Sequence, residues 1–127
     1  MAATFAFGDA LLVRFPFTSQ AASKQRPAVV VSSDRYAIER PDVVLLAVSS
    51  QRQPAPVEIG VRWGKVVIAN WQAAGLIKPS VIMPIVATFE QRVVIKRLGV
   101  LTPVDANALV SAFARILGPA PQPPQPA

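Results

Sequence analysis

Apolar residues in this chain fall into short runs separated by polar stretches, and most runs carry the two-residue period of a strand. Leu11, Val13 and Phe15 share one parity while Leu12 and Arg14 share the other, which predicts a half-buried first strand. Pro16 ends it, because proline cannot continue a central ladder. Residues 18–24 are small and polar and predict a loop. Residues 28–31 are continuously apolar, as in a buried strand, and Pro27 stands where that strand begins. A charged connection over 33–41 leads to a third buried strand over 43–48, and a Gln/Pro loop follows over 51–56.

Further along, Val57, Ile59 and Val61 alternate with Glu58 and Gly60, which predicts a fourth strand. A turn over 63–65, a short return strand over 66–68 and one helical turn over 70–75 come next. Residues 81–87 predict another strand, with Pro84 marking an edge or a bulge. A turn over 89–91 and a last strand over 93–98 complete the β segment. One helix is clear. Thr102 suits the N-cap, Pro103 the first helical position and Asp105 the positive end of the helix dipole. Leu109, Val110, Phe113, Ile116 and Leu117 recur at helical spacing, and Gly118-Pro119 stops the run.

Closely spaced short strands with one terminal helix predict a mainly β fold, a small barrel with a C-terminal helix. A doubly wound sheet would need helices between its strands. Residues 1–117 form one domain in this reading, and residues 118–127, mostly Pro, Gln and Ala, form a tail too poor in apolar side chains to join a core.

Charge changes the picture more than composition does. Thirteen basic residues against seven acidic ones give a net charge of +6, which favours polyanionic partners and salt-sensitive binding. Cysteine and histidine are both absent. That excludes disulfides, thiolate nucleophiles, Ser-His-Asp triads and the common His/Cys metal sites. Catalysis would have to use carboxylates, hydroxyls, Arg, Lys or backbone groups. No apolar run reaches the length of a membrane span, and the first residues lack the basic-then-apolar pattern of a signal peptide. A basic residue before one buried strand and hydroxyls after the next mark a candidate anion site.

Several segments together resemble the MazF/PemK family, toxins of type II toxin-antitoxin systems. They are Gly8-Asp9 with Phe15-Pro16-Phe17-Thr18, then Arg26-Pro27-Ala28-Val29-Val30, then residues 42–50 ending in Ser49-Ser50. Gly75-Leu76-Ile77-Lys78-Pro79-Ser80-Val81 and Ala87-Thr88-Phe89-Glu90-Gln91 resemble later segments of a PemK-like branch, so the likeness spans about residues 7–117. The resemblance implies an SH3-like barrel of the MazF/PemK/CcdB type and a cytoplasmic, bacterial homodimer. It implies a sequence-specific mRNA interferase, a metal-independent endoribonuclease without cofactors that cleaves single-stranded RNA by 2′-OH attack and leaves a 2′,3′-cyclic phosphate. It also implies a cognate antitoxin partner, with DNA contacted only through the antitoxin complex.

By this resemblance Arg26 takes the place of the catalytic arginine. Its planar, permanently charged fork suits two phosphate oxygens. Ser49 falls where the family carries a catalytic threonine, and Ser50 is the alternative; either hydroxyl could bond the scissile phosphate or relay a proton. Phe17, Lys24, Gln25, Gln51, Arg52, Lys78 and Ser80 are the candidate RNA contacts, and Arg62, Trp63 and Trp71 are further ones, with core packing an equal reading of Trp71. The chain departs from the family at Lys78-Pro79-Ser80, where some relatives carry an aspartate, so the general base is unassigned. Glu58 and Glu90 are more readily ion-pair partners than bases. Two other readings remain at this stage. One is a CcdB-like toxin that inhibits gyrase, which the placement of Arg26-Pro27 and Ser49-Ser50 disfavours. The other is an inactive barrel that binds RNA or antitoxin.

Overall fold

The parity split in the first run is realised in a strand whose two faces meet different surroundings. The computed structural model describes residues 5–15, 24–50 and 65–118. In it β1 (Asp9–Phe15), β2 (Lys24–Val30), β3 (Asp42–Ser50), β4 (Val66–Val67), β5 (Ser80–Glu90) and β6 (Lys96–Val100) form one sheet in the order β4-β5-β3-β2-β1-β6. All pairings are antiparallel. Leu11, Val13, Ala28, Val30, Val43 and Leu45 pack on one face; Ala10, Val29, Leu46, Val48 and Ile82 pack on the other. Both faces of the central strands are covered, which is why β2 and β3 are apolar without alternation.

Helix α1 (Asp34–Glu39) lies in the connection expected to be irregular. Ser33 caps it, its hydroxyl accepting from the Tyr36 backbone N–H at 3.1 Å. Only Ala37 of this helix is buried, so it presents no apolar stripe from which a helix could be read. Helix α2 (Pro103–Ile116) begins as expected, with Thr102 as N-cap and Pro103 in the first turn. Leu109 is buried and Phe113 packs on the second cluster, whereas Val110 and Leu117 are exposed. The apolar stripe is therefore narrower than the sequence suggests.

Several strand bounds shift, and β3 runs on through Ser49 and Ser50 rather than ending before them. β2 starts at Lys24, because its pairing with β1 runs back to Phe15–Lys24, so Pro27 sits inside the strand. β5 continues to Glu90 and ends in a 3₁₀ turn at Gln91–Val93, while β6 begins at Lys96. Pro84 does occupy a bulge. Leu46 pairs with Val86 and Val48 with Ile82, leaving three residues of β5 opposite one of β3. The expected fourth strand over 57–61 lies outside the described residues, as does the tail beyond residue 118.

The sheet curls into a half-barrel. The segment after β4 crosses to β6, where the backbones of Gly75 and Gly99 nearly touch. A Cβ at Gly99 would stand 2.5 Å from the Ala74 carbonyl carbon. Gly75 also has φ +79°, a conformation side chains disfavour. The same segment is tied to α2 by Asp105. This fully buried carboxylate accepts from the backbone N–H groups of Ala69 at 2.8 Å and Asn70 at 2.9 Å. The strap from residue 68 to 79 is thereby fixed at both glycine and carboxylate contacts, and it carries Leu76, Ile77 and Lys78 toward the ends of β2 and β3. No helix among the described residues is long and apolar enough to cross a membrane.

Candidate functional site

Pro27 opens the site. β2 and β3 pair only from Ala28–Ala47 through Val30–Leu45. Proline offers no N–H to a ladder, and the pairing of β2 with β3 goes no further toward Arg26. Beyond that point lies a cleft of about 170 Å³ lined by Arg26, Pro27, Val48, Ser50, Leu76, Ile77, Lys78 and Ser80. β2 supplies Arg26, β3 supplies Ser50, and the strap with the start of β5 supplies Lys78 and Ser80.

The chemistry of these walls is uneven. Arg26 is half-buried, and its Nε is buried with no hydrogen-bond partner among the described residues. A buried charged donor left unpaired is costly, and this Nε is closed to solvent. Ser50 and Ser80 are paired directly across β3 and β5. Ser80 is buried, and its hydroxyl donates to the Lys78 carbonyl at 2.8 Å. That bond shapes the Lys78-Pro79-Ser80 turn and leaves the Lys78 side chain exposed at the rim. Leu76, Pro27 and Val48 make the floor apolar, with Ile77 exposed at its edge, which lowers the local dielectric and strengthens any charge contact made there. No acidic side chain among the described residues lines this cleft.

Of the residues singled out from sequence, Arg26, Ser50, Lys78 and Ser80 thus converge. Ser49 is half-buried and pairs with Val81; strand alternation points it to the opposite face from Ser50, and it is not on the cleft wall. Lys24 and Gln25 are exposed at the start of β2, outside the wall. Phe17, Gln51, Arg52, Glu58, Arg62 and Trp63 lie outside the described residues. Trp71 packs half-buried against the second core cluster. Glu90 pairs with Arg92 at the far end of β5, and Asp9 is buried, accepting from Ala6 N–H at 2.9 Å and Arg97 at 3.0 Å. The apolar wall residues Leu76 and Ile77 were not expected at a site; being hydrophobic, they carry no chemical signature that sequence could expose.

Comparison with known proteins agrees with the architecture. The family described as PemK-like, MazF-like toxin of type II toxin-antitoxin system matches residues 6–117. Among curated proteins none matches the sequence. One similar solved structure is an "Endoribonuclease in complex with its cognate antitoxin from Mycobacterial species". It superposes with a TM-score of 0.67 at 20% identity, over 91% of this chain and 98% of that one. Another, an "Endoribonuclease from Mycobacterial species", gives 0.62 at 18% identity, over 90% and 91%. At such identities the structures support the fold, while the family match spans nearly the whole described chain. With the curled six-stranded sheet and C-terminal helix, this chain belongs to the PemK-like, MazF-like family of type II toxin-antitoxin toxins.

Proposed function

We propose that this toxin is a metal-independent endoribonuclease that cleaves single-stranded RNA through attack of a ribose 2′-OH on the adjacent phosphorus. The P–O5′ bond breaks as the new O–P bond forms, giving a 2′,3′-cyclic phosphate and a free 5′-OH. The observation that carries the reading is the convergence of Arg26, Ser50 and Lys78 on one cleft that no acidic side chain among the described residues lines. Arg26 binds the phosphoryl oxygens as charge accumulates in the transition state. Ser50 relays the 2′-OH proton to solvent water, and the departing 5′ oxygen, stabilised by Lys78, takes up a proton from water to give the 5′-OH. The walls hold the reacting groups in line, the larger part of what such a cleft can offer.

In this reading the toxin acts on RNA in the bacterial cytoplasm as a homodimer, and a cognate antitoxin covers the cleft. The test is incubation of purified protein with a long RNA, with and without EDTA, followed by mapping of the ends. Cuts bearing 5′-OH and cyclic phosphate ends at a preferred sequence, undiminished by chelation, are expected. Intact RNA together with inhibited gyrase supercoiling would overturn the proposal in favour of the CcdB-like reading. Loss of cutting on chelation, restored by magnesium, would overturn metal independence.

A further inference from the structure

Four arginines among the described residues are already neutralised by carboxylates. Arg35, Arg40, Arg92 and Arg97 each pair with a carboxylate: Glu39, Asp42, Glu90 and Asp9. Asp9 and Arg97 belong to the face of β1 and β6 that carries Leu11 and Val13, with Arg97 also over the Phe5 ring at 5.2 Å. That face also carries Lys24 and Arg26, opposite Phe15 and Val13, with no carboxylate among the described residues paired to them; the opposite face has its own unpaired cations. Register places Leu12 opposite Pro27 on one side and Lys96 on the other, and places Arg14 opposite Gln25. Leu12, Arg14, Pro27, Gln25 and Lys96 therefore share one face, the one that reaches the cleft at Pro27. Arg14 and Lys96 are exposed, and no carboxylate among the described residues pairs with them.

Helix α2 covers only part of this face. Ala10, Val29 and Leu46 are fully buried, whereas Leu12 and Pro27 are half-buried and Arg14, Gln25 and Lys96 open to solvent. Lys96 is two strand spacings from Pro27, about 10 Å across the sheet. A scissile phosphate in the cleft has further phosphates attached on both sides. The strand must leave the cleft over some surface, and this half-face offers unpaired cations beside an apolar floor.

We propose that Arg14 and Lys96 form a phosphate-binding tract that holds single-stranded RNA flanking the cleaved position. The tract extends the cleft across β2 and β1 to β6 and makes long RNA bind more tightly than short RNA. It rests on the endoribonuclease reading for its ligand, but binding and cleavage test the two separately.

The experiment measures fluorescence anisotropy with cleavage-resistant 2′-O-methyl oligonucleotides, short (about three nucleotides) and long (about twelve), at salt from about 50 to 200 mM. For the long strand, the Arg14→Ala/Lys96→Ala variant is expected to lower the slope of log affinity against log salt by roughly 1.4, about 0.7 for each lost phosphate contact. The advantage of long over short RNA shrinks with it, and Arg14→Lys keeps the wild-type slope. Arg35→Ala and Arg92→Ala, whose cations are already paired, also keep that slope. An unaltered slope in the double variant, with its circular dichroism unchanged, would overturn the tract. So would a defect seen with polyglutamate but not with RNA, which would make this an acidic-protein surface. Length-dependent wild-type RNA binding without any cleavage would refute the nuclease reading alone.

Discussion

Replacing Asp105 tests how the strap that carries Lys78 is held. Its carboxylate is 1% exposed and accepts two backbone N–H groups from the strap, at 2.8 and 2.9 Å. Its own N–H is capped by Thr102, and Thr102 Oγ1 lies 3.3 Å from the carboxylate. A hydrogen bond to a charged group contributes about 1.5–3 kcal/mol. Ala69 and Asn70 are exposed, so water recovers part of what their amides lose, and the lower figure applies to each. Two such bonds give about 3 kcal/mol for Asp105→Ala. Asp105→Asn keeps one acceptor oxygen but turns a donor toward the second amide, and is expected to lie between wild type and alanine. For a domain of this size 3 kcal/mol corresponds to a fall in Tm of about 10–20 °C. Urea unfolding monitored by circular dichroism measures it, with the denaturant slope unchanged if only stability moves. A loss below about 1 kcal/mol in the alanine variant would refute the claim that this carboxylate anchors the strap.

Three further outcomes follow from the same geometry. Arg26→Ala is expected to lower kcat by about 10²–10³, the cost of removing a donor aimed at developing charge, while Arg26→Lys recovers only part because it lacks the fork; equal cutting by wild type and alanine variant would sink the mechanism. Gly99→Ala puts a methyl 2.6 Å from the Ala74 carbonyl oxygen and is expected to destabilise by about 1–3 kcal/mol, with Gly75→Ala worse because its Cβ would meet the Leu98 carbonyl oxygen at 2.0 Å; wild-type melting curves for both would contradict the close seam. Arg40 donates to Asp42 at 3.0 Å and lowers its pKa, so this pair's stabilisation is present above the unfolded carboxylate pKa of about 3.9 and is lost as pH falls through the lower folded value. Asp42→Asn should therefore flatten the acid limb of the stability profile and leave its alkaline limb alone, as urea titrations at stepped pH can check.

Much of the fold was legible because its signals are local. Alternation in β1, the apolar runs of β2 and β3, and the Thr102-Pro103 helix start each depend on neighbouring residues only. Helix α1 escaped because six residues with one buried side chain give no period to detect. β2 could not be traced back past Pro27, since its pairing with β1 is a long-range fact. At the site, Arg26 and the serine pair were marked by their chemistry together with the family resemblance. Which serine lines the cleft was not: that depends on the register of β3 against β5, which alternation alone leaves undetermined. Ser80, named as an RNA contact by its chemistry, lines the cleft, and only the fold shows its hydroxyl donating to the Lys78 carbonyl. The placement of Arg14 and Lys96 on one face likewise needs the pairing of β1 with β6, residues far apart in sequence.

Pro27 has a kinetic meaning as well as a geometric one. Because a ring nitrogen carries no hydrogen, thermal motion cannot zip this end of β2 onto β3 in ladder fashion and seal the gap. The hollow between these two strand ends exists before any visitor arrives, and no strand pairing has to be torn apart on entry. In the endoribonuclease reading, ordering costs then fall on the incoming chain rather than on these walls, and charge sets how fast the two meet.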